Sequence, residues 1–158
     1  MMDDRLFRSA MGKFATGVTV ITTEVDGKAH GMTANAFMSV SLNPKLVLIS
    51  IGEKARMLDR IHQSGTFAVN ILSAEQKEVS MLFAGQIKEE KKVEFEYIQG
   101  VPTVKGALAN VVCKVHSSQV AGDHTLFIGE VQDIVLQDGT PLTFFEGKYG
   151  RLAEEQLI

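Results

Sequence analysis

The sequence has little cysteine, no excess of basic residues and no long apolar run. Cys113 is the only cysteine in 158 residues, so no intrachain disulfide can form and a cysteine-built zinc site is ruled out. Val111, Cys113 and Val115 alternate onto one face of an extended segment, which predicts a buried, inert thiol. The formal net charge is −3, which argues against the electrostatic footprint of a nucleic-acid binder. No apolar stretch approaches the roughly 20 residues that a membrane-spanning helix needs. The Met-Met-Asp-Asp start has neither a basic region nor an apolar segment, so a signal peptide is not expected there. A cytoplasmic, reducing location is the corresponding expectation.

Several familiar motifs are missing as well. No Gly-x-Gly-x-x-Gly follows a strand, which argues against a doubly wound dinucleotide site. Gly12 and Gly17 have the spacing of a phosphate loop, but Val18-Thr19 stands where Lys-Ser/Thr is required. His30, His62, His116 and His124 show no metal-ligand spacing, and no metal is expected. No Ser-His-acid constellation can be picked out. Lys88 to Glu96 is a dense cluster of both charge signs and reads as a solvated loop or helix end.

What remains is an ordinary globular composition, 45% hydrophobic and 22% charged. Its length suits one domain over residues 1–158. Leu6, Phe7, Ala10, Met11 and Phe14 recur at helical spacing, with Asp3 and Asp4 at the positive end, so a helix is expected over Asp3–Phe14. The β-branched run from Val18 to Thr23 predicts a strand, and Asp26-Gly27 predicts a hairpin turn after it. A single strand is expected from Lys28 to the Asn43-Pro44 break, then a buried strand over Leu46–Ile51. A short helix over Ala55–Ser64 closed by Gly65, a strand over Thr66–Ile71, and a Ser73/Gln76 capping box opening a helix to Phe83 follow. Ala84–Gly106 reads as long loops, Leu108–Val120 and Leu126–Leu136 as two long strands, and Phe144–Leu152 as a last short strand. Many strands with few short helices indicate a mainly antiparallel barrel.

The run from Gly31 to Pro44 carries most of the functional information. In an unbroken strand Thr33, Asn35, Ser39 and Ser41 line one wall, and Met32, Ala34, Ala36, Met38, Val40 and Leu42 the other. Small residues let a ligand approach the backbone, and the polar wall offers donors and acceptors to a flat, heteroatom-rich molecule. The competing reading is an ordinary amphipathic strand with a solvated polar face.

Thr33-Ala34-Asn35-Ala36-Phe37, Ser39-Val40-Ser41 and Pro44 resemble the flavin-binding segment of the short-chain flavin reductase family. Two further family motifs occur in order, Gly122-Asp123-His124 before an apolar strand and Pro141-Leu142 leading into Gly147-Lys148-Tyr149-Gly150-Arg151. The resemblance runs from Phe7 to Leu152 and is nearest to reductase components of two-component phenol and 4-hydroxyphenylacetate hydroxylases. It implies the antiparallel split β-barrel that binds flavin, flanked by a few short helices and normally paired as a homodimer. It also implies NAD(P)H:flavin oxidoreductase activity, with FAD or FMN reduced by NADH and passed as free reduced flavin to a separate monooxygenase. Aromatic compound catabolism is the context those relatives suggest.

The same resemblance implies a division of labour. Thr33, Ala34, Asn35, Ala36 and Ser39 form the ring slot, with Ser50, Ile51 and Gly52 as a further wall. Lys54 and Arg56 beside a helix start suit the flavin phosphate, against the alternative of plain surface charge. Phe83 packs either on the flavin or in the core. His124 positions the nicotinamide, against the alternative that Gly122-Asp123-His124 is only a hairpin turn. Lys148, Tyr149 and Arg151 face the same nucleotide, unless Tyr149 is an ordinary barrel residue. A non-catalytic flavin-binding protein and an oxidase of another small molecule are the competing functions.

Overall fold

The computed structural model describes residues 1–88 and 93–153. Asp3 caps the first helix by accepting a hydrogen bond from the Arg5 backbone N–H (3.0 Å), and α1 spans Asp4–Gly12. The short strand β1 (Thr16–Gly17) leads into β2 (Thr19–Val25), whose first five residues are all buried. Asp26 and Gly27 both take positive φ (53° and 75°), the backbone that a tight two-residue hairpin demands, and β3 (Lys28–Ala34) returns along β2. The chain then breaks at Asn35-Ala36. β4 (Phe37–Leu42) and β5 (Lys45–Gly52) follow as a hairpin, and α2 (Arg56–Ser64) ends at Gly65. β6 (Thr66–Ile71) leads to the Ser73/Gln76 capping box, one 3-10 turn, and α3 (Lys77–Phe83).

Two expectations are corrected in the remainder of the chain. The stretch read as long loops contains a hairpin of β7 (Phe95–Ile98) and β8 (Val101–Val104), whose second strand is wholly buried. Of the charge cluster, residues 89–92 lie outside the described residues, and Phe95-Glu96 belong to β7. β9 (Ala109–Ala121) and β10 (His124–Leu136) are the two long strands. The last segment is not one strand but a hairpin of β11 (Leu142–Phe145) and β12 (Lys148–Arg151), because Glu146 and Gly147 both adopt positive φ and turn the chain.

The main sheet has seven antiparallel strands in the order β3-β2-β6-β9-β10-β5-β4. β3 and β4 are consecutive in the chain yet stand at opposite edges. Only Asn35 and Ala36 join them, so the ends of the two strands lie roughly 10 Å apart at most, and the sheet must curl until its edges meet at that point. They meet without pairing as strands, which makes this a split barrel. Each side of the junction is anchored to its own neighbour: the Thr19 hydroxyl donates to the Ala34 carbonyl (2.6 Å) within the β2–β3 pair, and the Ser50 N–H donates to the Ala36 carbonyl (3.3 Å), continuing the β4–β5 ladder.

Ile21, Ile49, Ile51, Phe67, Cys113 and Phe127 form the centre of the main core, with Met57 and Ile61 of α2 packed against it. Gly129 is required there: a Cβ would stand 2.5 Å from the Phe67 ring and 2.9 Å from the Cys113 Cβ. The Cys113 thiol is buried as expected, and burial pushes its pKa up to about 12. A second cluster of Val18, Val20, Leu72, Val104 and Leu142 gathers α3, β7 and the β11–β12 hairpin on the other side. Among the described residues no helix is long and apolar enough to cross a membrane.

A fully buried polar knot ties these layers. Asn70 Nδ2 donates to the Val20 carbonyl (2.9 Å) and to Thr22 Oγ1 (3.0 Å), and Asn70 Oδ1 accepts from the Val104 N–H and from Asn110 Nδ2. The Thr22 hydroxyl in turn donates to the Pro102 carbonyl (2.5 Å). Thr22→Val removes that donor and strands a buried carbonyl, so a loss of about 2 kcal/mol in stability is expected. Denaturant unfolding would read this as a lower midpoint at unchanged slope, and an unaltered midpoint would contradict it.

Candidate functional site

The break at Asn35-Ala36 overturns the picture of one polar wall. Thr33 lies on β3 and Ser39 on β4, at opposite edges of the sheet, and the β4–β5 register shifts between Ser39 and Ser41. Period-two alternation holds only along an unbroken strand. The Thr33 hydroxyl is also engaged, donating to the Ser80 carbonyl at 2.6 Å. What the break does instead is expose Asn35 and Ala36 and hold them against Ser50 through the Ala36 carbonyl. The segments Thr33–Ala36 and Ser50–Gly52 are thus adjacent, as expected. Ile51 is fully buried in the core and can face a ligand only through its backbone. Ser39 is exposed on β4, opposite Val47.

Three recesses run in sequence along this region. The first, about 540 Å³, is lined by Thr16, Gly17, Asn35, Ala36, Phe37 and Leu48. Asn35 also lines the second, about 190 Å³, with Thr33, Ala34, Ser80, Ala84 and Tyr149. Ala84 continues into the third, about 300 Å³, with Gly31, Met32, Arg56, Arg60 and Phe83. A larger hollow of about 660 Å³ lies between α1 and the Glu146-Gly147 turn. It is lined by charged surface residues such as Asp4, Arg8 and Lys13, contains none of the candidate residues, and is a gap beneath a helix that buries nothing.

Phe83 packs against β3, where a Cβ at Gly31 would come within 2.7 Å of its ring, and it is tilted against Phe95 (centroids 6.2 Å). It therefore serves the second core cluster and the third recess together. Lys54 and Arg56 are exposed at the start of α2, and neither has an ion-pair partner among the described residues.

His124 opens β10, directly opposite Gly52 in register. A Cβ on Gly52 would stand 3.7 Å from His124 Nε2, so the imidazole lies over the end of β5. Its Nδ1 is 2.8 Å from an Asp123 carboxylate oxygen, and the Asp123 carbonyl accepts from the Glu53 N–H (2.9 Å). A carboxylate only accepts, so the proton of this bond resides on Nδ1 and Nε2 is left for another partner. The His124 hydrogen bond, then its charge, and more weakly Lys54, hold the Asp123 carboxyl below the usual carboxylate range. The contact is therefore intact above that range and is lost as pH falls through the lowered value. Gly122-Asp123-His124 is indeed the β9–β10 turn, with Gly122 at φ 63°, and it also delivers an imidazole to the barrel seam.

Tyr149 sits in the middle recess, half-buried, its hydroxyl 2.8 Å from Ser80 Oγ. Phe144 packs edge-on against it (5.3 Å) and Lys77 Nζ lies 5.7 Å above its ring. Arg151 is 3.9 Å from Glu75, and Lys148 is exposed. Among the described residues no hydrogen bond, ion pair or ring contact joins His124 to Lys148, Tyr149 or Arg151. Ser80, which links Thr33 and Tyr149 from α3 while fully buried, lies in no motif; Asp123, which orients the imidazole, lies in the Gly122-Asp123-His124 motif, but the resemblance gave it no role of its own. The geometric demand of a half-buried tyrosine hydroxyl for a partner was the one available signal for Ser80.

The family described as "Flavin reductase like domain" matches residues 11–153. The NADH-dependent flavin reductase of Rhodococcus sp is 47% identical over 148 residues, covering 92% of this chain and 84% of the relative. The reductase component of 4-hydroxyphenylacetate 3-monooxygenase from Thermus thermophilus is 40% identical over 147 residues, covering 92% and 95%. Among solved structures, the flavin reductase PheA2 in its native state superposes with a TM-score of 0.95 at 65% identity, covering 97% of this chain and all (100%) of that one. The NADH:FAD oxidoreductase SgcE6 from Streptomyces globisporus, in complex with NAD and FAD fragments, superposes at 0.90 with 37% identity over 99% and 98%. With a split barrel whose seam joins the Thr33–Ala36 and Ser50–Gly52 segments, and with this likeness over nearly its whole length, the chain belongs to the flavin reductase-like family.

Proposed function

We infer that this protein is an NADH-dependent flavin reductase, the reductase component of a two-component monooxygenase system, built as one domain over residues 1–158. The observation that carries this reading is the junction at Asn35-Ala36, whose exposed residues line adjoining recesses, together with Lys54, Arg56 and the His124 imidazole gathered about the end of β5, where neither cation has an ion-pair partner among the described residues. The donor set fits a flavin: small residues admit a flat ring, exposed amides face its polar edge, and cations at a helix start suit its phosphate.

In this reading Thr33, Ala34, Asn35, Ala36 and Ser39, with Ser50, Ile51 and Gly52, cradle the ring, mostly through backbone groups. Lys54 and Arg56 hold the phosphate, and Phe83 closes the wall beyond Ala84. When bound, FAD or FMN supplies the redox chemistry, taking a hydride from NADH while a proton is taken up from solvent. His124 acts by placing the nicotinamide over the acceptor, since the reacting atoms must approach to about 3–3.5 Å. Asp123 fixes the imidazole that does so. Lys148, Tyr149 and Arg151 bind the rest of the nucleotide, with Ser80 anchoring the Tyr149 hydroxyl. The reduced flavin leaves for a separate monooxygenase, and an aromatic substrate for that partner is suggested by the 4-hydroxyphenylacetate relative. A cytoplasmic location accords with the single, buried, unreactive thiol.

The protein acts as a homodimer in the same reading. α1 buries none of its residues and leaves Leu6, Phe7 and Met11 exposed, and Phe14 just beyond it is 79% exposed. Met38, Val40 and Leu42 on β4 are exposed too, and such apolar surface is ordinarily covered. Pairing would also bring a second copy's Tyr149 hairpin or His124 turn to a site that lacks a direct link between them. Light scattering is expected to give about twice the 17.3 kDa chain mass. A fully active monomer would contradict it.

The activity is tested by following NADH oxidation with and without added flavin. Consumption that requires FAD or FMN is expected. Flavin binding without NADH consumption would instead make this a storage protein.

A further inference from the structure

Ser80 of α3 is fully buried, so it cannot touch a ligand itself. A helical serine commonly turns its hydroxyl to a carbonyl of its own helix. This one shares a 2.8 Å hydrogen bond with the Tyr149 hydroxyl of β12. Its carbonyl accepts twice, from the Ala84 N–H at the end of the helix (3.0 Å) and from the Thr33 hydroxyl of β3 (2.6 Å). The hydroxyl and the carbonyl of one buried residue are thus committed to two different sheets. β3 belongs to the seven-stranded sheet, and β12 to the three-stranded sheet with β1 and β11. Among the described residues no hydrogen bond or ring contact joins β3 to β12 directly.

The neighbouring turns of α3 reinforce the link. About one turn before Ser80, Lys77 Nζ lies 5.7 Å above the Tyr149 ring. At the other end of the helix Phe83 packs against Gly31, where a Cβ would come within 2.7 Å of its ring. Gly31 and Thr33 lie two apart on β3 and so share a face. α3 therefore grips the ring-wall strand through Ser80 and Phe83, and the Tyr149 strand through Ser80 and Lys77. A buried hydrogen-bonded joint of this kind is rigid, and a packed helix cannot follow one strand without moving the other.

Resting on the flavin reading above, with Thr33 in the ring wall and Tyr149 on the nucleotide, we propose that Ser80 is a positioning residue that makes the two ligands help each other bind. A flavin seated against Thr33 fixes α3, and α3 holds the Tyr149 hydroxyl in place for the nicotinamide nucleotide. Coupling between two binding sites is reciprocal, so bound nucleotide tightens the flavin by the same factor.

The test measures the Kd of the full-length protein for FAD by fluorescence, with and without saturating NAD+, which occupies the nucleotide site without reducing the flavin. In the wild type NAD+ should tighten FAD about tenfold, within the usual range of coupling between sites. Ser80→Ala removes the hydroxyl and keeps the carbonyl, Tyr149→Phe removes its partner and keeps the ring, and Thr33→Val cuts the arm to β3. Each should bring the ratio of the two Kd values to about one, and the double variant Ser80→Ala with Tyr149→Phe should go no further than either alone. A merely structural role would lower affinity equally with and without NAD+ and leave the ratio intact, which would overturn the proposal. A ratio preserved in Thr33→Val alone would confine the effect to Tyr149 and overturn the link through α3. A wild type that binds no FAD defeats the flavin reading itself, whereas one that binds FAD with no response to NAD+ defeats only the coupling.

Discussion

His124→Ala is expected to slow reduction of bound flavin by NADH about a hundredfold, the scale of a positioning error, while flavin affinity stays nearly intact. The reason lies in where the imidazole stands. It is opposite Gly52, with Nδ1 committed to Asp123 and Nε2 left free, at the rim of the seam rather than within the ring wall. A residue that places the donor should harm the reductive step and spare binding of the acceptor. His124→Asn, which keeps a polar group at that point, should be milder than His124→Ala. Asp123→Asn should fall between wild type and His124→Ala, because a side-chain amide can accept or donate and no longer dictates which nitrogen carries the proton. Stopped-flow absorbance separates binding from reduction. Unchanged reduction kinetics in His124→Ala would return Gly122-Asp123-His124 to the status of a turn.

Ala36→Leu is expected to weaken flavin binding by roughly 3 kcal/mol, about a hundredfold in Kd, the upper range for forcing a bulky side chain into a shaped site. Ala36 is exposed on the connection that closes the barrel, and its carbonyl is tied to the Ser50 N–H, so the backbone there cannot retreat freely. The added side chain would project from the two-residue junction into the largest of the three seam recesses. The protein itself should still fold, since Ala36 is not in the core. Wild-type flavin affinity in Ala36→Leu would mean that the ring does not lodge at the seam.

The strands were legible where pattern and chemistry are local. The β-branched run of β2, the Asp26-Gly27 turn, the Val47-Ile49-Ile51 alternation of β5 and the buried Cys113 of β9 all follow from near neighbours. The seam was not legible, because the break at Asn35-Ala36 is imposed by closure of the sheet across its whole width. Nothing in the alternation of Thr33, Asn35 and Ser39 reports that β3 and β4 must reach opposite edges. The β7–β8 hairpin was hidden by the charges beside it. Its burial depends on Asn70, 34 residues away, which accepts from the Val104 N–H. Ser80 was missed for the same reason. A serine within a short helix looks unremarkable until Thr33, 47 residues before it, and Tyr149, 69 after it, arrive as its partners. The family motifs marked the right neighbourhood, and distant closure decided which side chains share it.

If the seam binds a flavin and presents it to NADH, an anaerobic titration will show both events in one cuvette. The protein is mixed with FAD, its visible absorbance is recorded, and NADH is added in steps without oxygen. A bound-flavin spectrum that bleaches in proportion to the NADH added, reaching completion at one NADH per flavin, is the expected result. A bound flavin whose absorbance survives excess NADH would contradict it.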